Sequence, residues 1–278
     1  IMKKYLLLVL AISFLLTSAS YSQLQSLKLF GNVTDGVVVP AANVLNSYGT
    51  TNQITVTSWV KLDSLRSYNR IFHKSRGQCQ DDIGLEIDSI GSLYFSYYGS
   101  CSGTSTAKSS PNSFLLNKWY HVAGVIDGSP GQRKISIFIN GQLVGIANMN
   151  SNNPTANFIP VVFGSNRHWD GLAENSIKGN LCEIQYYNIA LSQTEIQNRM
   201  NRYLVLSSSD TTGLIGYWKL NDNANDFSKY QNNGAVEGAS QFVADHPFIN
   251  STTDTTTTWR LQLQSRIGSF YDNENFAG

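Results

Sequence analysis

The sequence predicts an all-β protein, two antiparallel sheets packed as a sandwich, with one short helix near residues 192–204. Three observations predict it. Short runs of alternating apolar and polar residues succeed one another along most of the chain, bounded by Gly, Asn, Asp and Ser. Only Ser192-Gln-Thr-Glu195, a capping box ahead of Ile196 and Met200, carries a helix signature. Composition agrees: charged residues make up 14%, against about 25% in ordinary soluble domains, and Ser, Thr, Asn, Gln and Gly fill the difference. Hydrophobic residues at 41%, with five Trp, supply a core, and no internal repeat is present.

The first element is an export signal. Lys3 and Lys4 precede the apolar run Tyr5–Leu16, and Ser20 and Ser22 stand at the −3 and −1 positions of a cut before Gln23. The run is shorter than the roughly 20 residues of a spanning helix, and no Cys marks a lipid anchor. Residues 1–22 are therefore expected to be removed and the product secreted or held at the cell surface. The folded domain is expected over residues 23–249.

Gln53–Leu62 is the first clear strand, with Ile54, Val56, Ser58 and Val60 facing one way. Ile83–Asp88 and Ser92–Tyr97 read as a hairpin about Ser89-Ile90-Gly91, with Gly91 in the left-handed position. Residues whose numbers sum to 180 then face each other. Cys79 and Cys101 satisfy that sum, so a Cys79–Cys101 disulfide is expected in an exported chain. Cys182 is left over and reads as a small buried hydrophobe. Asn117–Asp127 and Lys134–Gly145 follow, the latter turning at Asn140-Gly141 in a type I′ hairpin. That turn pairs Phe138 with Leu143, Ile137 with Val144 and Ile135 with Ile146. Leu214–Leu220 resumes the strands after the helix. Asn250–Thr258 is a Thr-rich linker by composition, and residues 259–278 read as the start of a further module or a tail of a longer protein.

Charge narrows the function classes. Twenty Lys and Arg against 19 Asp and Glu leave a net +1 with no basic run beyond Lys3-Lys4, which supplies no field for a nucleic-acid backbone or an anionic membrane. No second segment is apolar enough to span a bilayer. The four histidines show no metal-ligand spacing, and no G-x-S-x-G or phosphate loop is present. His121, within a strand beside Trp119, reads as a packed residue.

Four segments resemble the laminin-G-like, concanavalin A-like jelly-roll family of secreted bacterial and animal proteins. Ser26–Gly31 with Val37–Pro40 is similar to its opening strands and Ile54–Val60 to its T-x-x-x-W-V strand. Trp119-Tyr-His-Val-Ala with Phe138-Ile-Asn-Gly-Gln-Leu resembles its central hairpin, and Tyr186–Ile196 its closing strand and helix. The likeness spans roughly residues 24–205, and Gly216–Asp222 with Asp226-Phe-Ser resembles a strand and loop packed beside that core. It implies a jelly-roll fold and a binding module, in many members calcium-dependent, directed at glycans or extracellular proteins. Trp59, Trp119 and Trp218 fall at structural positions of the family.

Candidate sites follow from residue chemistry. Calcium takes six to eight hard oxygens, and Asp222, Asp226, Asn232 and Asn233 in one loop could supply some, with Glu183 contributing from the strand that resembles the family's G-x-L-D-E segment. Cys182 stands where that segment commonly has Asp. The alternative is that Asn223, Asn225, Asn232 and Gly234 only set turn geometry. Asp81-Asp82 form a second, weaker candidate. A glycan needs exposed rings beside amide and carboxylate groups, and Arg167-His168-Trp169-Asp170 has that mixture, with Tyr94, Tyr97 and Tyr98 adding aromatics on the hairpin. Glu86-Ile-Asp88 resembles the E-x-D-x-x-E strand of laminarinase-type glycosidases, but Ile90 and Gly91 occupy the places where its last Glu could stand. A non-catalytic module binding glycan or a surface protein is the expectation. A glycoside hydrolase or polysaccharide lyase of the same fold, and a structural spacer, are the alternatives.

Overall fold

The structure is a computed structural model that describes residues 24–75, 82–98, 104–149, 154, 158–167, 173–174 and 176–248. The expected signal, the linker and tail, and the Cys79–Cys101 disulfide lie outside the described residues. The strands are β1 (Ser26–Phe30), β2 (Gly36–Val39), β3 (Gln53–Leu62), β4 (Tyr68–Lys74), β5 (Asp82–Asp88), β6 (Leu93–Tyr98), β7 (Thr104–Lys108), β8 (Trp119–Asp127), β9 (Lys134–Ile139), β10 (Gln142–Asn148), β11 (Val161–Phe163), β12 (Asn166–Arg167), β13 (Ala173–Glu174), β14 (Lys178–Tyr187), β15 (Leu214–Trp218), β16 (Ala235–Glu237) and β17 (Gln241–Val243). They build an antiparallel jelly-roll sandwich. One sheet has the order β10-β9-β8-β3-β14-β1-β17, with β15 also on β14, and the other runs β16-β2-β11-β4-β5-β6-β7.

Alternation along the strands fills the space between the sheets. Ile54, Val56 and Val60 of β3 point inward, as do Leu85, Ile87, Leu93 and Phe95 of the facing sheet, and all are buried. Ser58 shares that face and donates its hydroxyl to the Cys182 carbonyl. Trp218 is wholly buried against the Phe163 ring, with centroids 4.9 Å apart. Gly124 of β8 lies against the Phe95 ring, where a Cβ would come within 2.2 Å of Cγ.

The two local hairpins differ in how closely they follow their sequence. In β5–β6, Asp82 faces Tyr98, Ile83 faces Tyr97 and Ile87 faces Leu93, each pair summing to 180 as expected. Gly91 takes a φ of 71° in the turn, and the Asp88 carboxylate accepts the Ile90 and Ser92 amides. In β9–β10, Asn140 and Gly141 have φ of 49° and 71°, both positive as type I′ requires. Phe138 faces Leu143 as expected. Beyond it the expected pairs are corrected, because a bulge after Leu143 sets Gly145 opposite Ile137 and Ala147 opposite Ile135. Space explains the shift: any Cβ at Gly145 would meet the Lys108 carbonyl of β7 at 2.6 Å, so this inward position admits no larger residue.

The expected helix spans Gln193–Met200, ending short of residue 204, and Ser192 and Glu195 close the capping box. It packs on the outer face of the eight-stranded sheet through Ile196, beside Phe138, Tyr187 and Tyr217. Residues 245–248 cover the same face. Asp245 pairs with Lys61 and accepts the Trp119 indole N–H at 3.0 Å, while Phe248 packs edge-on to Trp59. Trp59 and Trp119 are structural, but they hold this covering segment from outside the sandwich core. Among the described residues no helix is long and apolar enough to cross a membrane.

Candidate functional site

The outer face of the seven-stranded sheet gathers rings, charges and hydroxyls from four adjacent strands. Strand parity sends Gly84, Glu86 and Asp88 of β5 outward beside Tyr94 and Ser96 of β6 and Thr106 and Lys108 of β7. Register brings Tyr68 opposite Asp88 and Arg70 opposite Glu86 from β4. A bulge between Arg70 and Phe72 returns Phe72 to the core while Arg70 stays outside.

The four described charged side chains of this face form two pairs. Arg70 binds the Glu86 carboxylate, with side-chain exposures of only 15% and 7%. Lys108 lies 3.4 Å from Asp88, which also accepts the Tyr94 hydroxyl at 2.8 Å. Each cation also covers an aromatic ring: Arg70 lies 4.8 Å from the centre of Tyr68 and Lys108 4.5 Å from that of Tyr94. In the next row Ser96 and Thr106 share a hydroxyl bond of 2.9 Å. The two carboxyls are driven apart in acidity. Burial raises Glu86, opposed in part by Arg70 and reinforced by the Asp88 charge. Burial would also raise Asp88, but the Ser92 amide, the Tyr94 hydroxyl and Lys108 outweigh it and lower this carboxyl.

Gly84 adds no side chain to the next row. It stands between His73 of β4 and Ser96 of β6, and a Cβ there would lie 3.4 Å from His73 Cδ2 and 3.7 Å from Arg70 Nη1. Along the rows of Glu86 and Asp88, Tyr68, 46% exposed, and the partly exposed Tyr94 stand on either side of β5. An arrangement of this kind can stack a flat apolar surface on either ring while offering donors and acceptors between them.

The sequence-derived sites distribute differently. Tyr97 is corrected: it points between the sheets beside Phe95 and is wholly buried, so it is a core residue with no ligand-facing surface. His168, Trp169 and Asp170 lie outside the described residues, and Arg167 enters only as backbone of β12, facing Ala173. Asp81 and the side chains of Asp82 and Tyr98 are likewise outside.

The proposed calcium loop is closed by its own hydrogen bonds. Asp226 is 4% exposed, and its carboxylate accepts the amides of Tyr217, Ser228 and Asn232 and the Ser228 hydroxyl, at 2.8–2.9 Å. Asn233 caps the Asp226 amide, the Asn232 carbonyl accepts the Trp218 indole, and Asp222 accepts from Asn223. Oxygens aimed at N–H donors do not make a cation shell, so this set does not fit calcium. Glu183 is not part of that network. A bulge between Cys182 and Gln185, with Glu183 at φ 55°, turns its side chain out of the core. There Tyr217 donates to Glu183 at 2.5 Å and His246 Nε2 stands 3.9 Å away. Burial raises the Glu183 carboxyl against the opposing pull of His246 and Tyr217. Cys182 beside it is a free, fully buried thiol whose pKa burial pushes well up, which suits the inert role expected of it. Among the described residues no three His, Cys, Asp or Glu side chains gather to hold a metal ion.

Sequence reasoning missed Tyr68, Arg70 and Lys108. Parity along Tyr68-Asn-Arg70 signals one face, but only pairing with β5 makes it the face of Glu86.

Known proteins place this sandwich. A Bacteroides ovatus protein provisionally assigned as carbohydrate-binding superposes with a TM-score of 0.56 at 16% identity, over 80% of this chain and 60% of that one. This chain therefore spans well under the full length of that protein. The heptameric SAP-like pentraxin of Limulus polyphemus gives 0.54 at 18% identity, over 82% of this chain and 98% of that one. The CBM40 module of the Ruminococcus gnavus IT-sialidase gives 0.50 at 16% identity, over 64% of this chain and 98% of that one. At such identities the likeness shows the fold. No curated protein matches in sequence. Residues 30–197 match the Laminin_G_3 family, and with the jelly-roll topology above, the chain belongs to the concanavalin A-like lectin/glucanases superfamily.

Proposed function

We propose that this chain is an exported, non-catalytic glycan-binding module and that the outer face of the seven-stranded sheet is its ligand surface. One observation carries the reading: Tyr68 and Tyr94 stand on either side of β5, with Asp88, Glu86 and Arg70 between the rings and Ser96 and Thr106 in the next row beyond Tyr94. Pyranose rings present a C–H face that stacks on an aromatic and hydroxyls that bond to polar neighbours. The carbohydrate-binding assignments of two structural neighbours support the same reading. The binding role is favoured over hydrolysis because both carboxylates are engaged. Glu86 is held by Arg70, and Asp88 serves its own turn and Tyr94. Calcium at the Asp226 loop forms no part of the proposal.

The test is a glycan array probed with the full chain, its Tyr68→Ala and Tyr94→Ala variants, and a reducing-sugar assay on every glycan retained. Retention lost in both variants, with no new reducing ends, is the expected result. Retention unchanged in both variants would remove this face from the account and turn attention to the β12–β13 hairpin. Released reducing ends would make the protein a hydrolase.

A further inference from the structure

We infer that the ligand of this face is a neutral, linear oligosaccharide of at least three sugar residues, laid across the strands from Tyr68 to Tyr94. This rests on the glycan-binding reading above and adds charge class and length to it.

Charge class follows from the pairing. Arg70 is matched to Glu86 and Lys108 to Asp88, so the described charges of the face cancel one to one. An acidic sugar would have to draw Arg70 or Lys108 away from its carboxylate. Glu86, 6% exposed, would then be left buried without a counter-charge, a heavily disfavoured state. Asp88 would lose one donor and keep the Ser92 and Ile90 amides, so Lys108 is the less costly cation to divert, but it too already rests over the Tyr94 ring. A neutral sugar asks for none of these exchanges. Its hydroxyls can bond to the groups as they stand, and its apolar face meets Tyr68 and Tyr94.

Length follows from register. Tyr68 lies opposite Asp88 and Tyr94 opposite Glu86, with β5 between them. Two strand spacings across the sheet and two residues along it separate the Cα atoms by about 12 Å. One pyranose reaches only one ring. Two sugars separated by a third reach both, with the middle residue over Asp88 and Glu86 of β5.

The experiment is equilibrium binding of the full chain to glucose, mannose and galactose oligomers of one to six residues, with 3′-sialyllactose and galacturonate oligomers as acidic probes. For the neutral series retained, affinity is expected to rise about tenfold or more from one residue to three and then level off. The acidic probes are expected to bind about tenfold or more weakly than the neutral oligomer of equal length. Tyr68→Ala and Tyr94→Ala should each cost about five- to tenfold and flatten the length step. Unchanged unfolding midpoints in both variants would assign the loss to contact. Tighter binding of either acidic probe overturns the charge class while leaving the glycan reading in place. Full affinity for a single sugar, or a length step that survives both variants, overturns the span. No binding to any oligosaccharide removes the glycan reading, and this inference with it.

Discussion

Replacing His121 with Phe should make the protein measurably more resistant to acid. His121 is 2% exposed on β8, packed edge-on to Trp59 at 5.6 Å, and burial lowers its pKa from 6.5 to about 3. In the unfolded chain the imidazole takes a proton near pH 6.5, whereas in the folded protein it stays neutral down to about pH 3. Between those values the unfolded state binds more protons, so stability falls as pH is lowered through the window. At pH 5 the unfolded chain gains about 2 kcal/mol from this residue, and at pH 7 almost nothing. Phe cannot take the proton and keeps the ring against Trp59. Urea unfolding of both proteins at pH 7 and pH 5 isolates the residue, because every other titrating group is shared. The wild type should lose about 2 kcal/mol more than His121→Phe over that interval. Equal losses would refute the argument and mean that His121 is protonated in the fold, its charge met by a group other than Trp59.

Three further outcomes follow from the packing and the polar networks. EDTA should leave the thermal midpoint unchanged, whereas Asp226→Ala should destabilise by about 3 kcal/mol because three backbone amides lose their acceptor; a midpoint lowered by EDTA would restore a bound cation. Arg70→Met should cost about 3 kcal/mol at neutral pH by leaving Glu86 buried and unpaired. Part of that loss should return on acidification, since Glu86 is already biased toward its protonated form, and Glu86→Gln in the same chain should restore most of it; denaturant titration at pH 7 and pH 5 reads both effects. Gly124→Ala drives a methyl into the Phe95 ring and should lower stability by about 1–3 kcal/mol, measured by calorimetry.

Much of the local structure was legible because its causes are local. Gly91 and the Asp88 carboxylate set the β5–β6 turn, and the turn sets the register, so pairs summing to 180 followed from a few neighbouring residues. The positive φ values of Asn140 and Gly141, the capping box at Ser192 and Glu195, and the burial of Cys182 have the same origin. Tyr97 was legible too, for it shares parity with Leu93 and Phe95, and reading its ring as exposed set aside an alternation already in view.

Other features depend on partners far along the chain. The bulge in β10 answers to the Lys108 carbonyl across the sandwich, and the bulge in β14 that turns Glu183 outward is defined by its register with β3 and β15. Asp226 looked like a cation ligand in sequence because nothing local reveals that the amides of Tyr217 and Asn232 fold around it. The proposed ligand face needed β4, β5, β6 and β7 side by side. Its residue types are written in the sequence, but pairing Arg70 with Glu86 and Lys108 with Asp88 is a matter of long-range register. Turn geometry and alternation act over a few residues and so are fixed by the chain alone; charge pairing and bulges are settled only when distant strands meet and each buried polar group must find its partner.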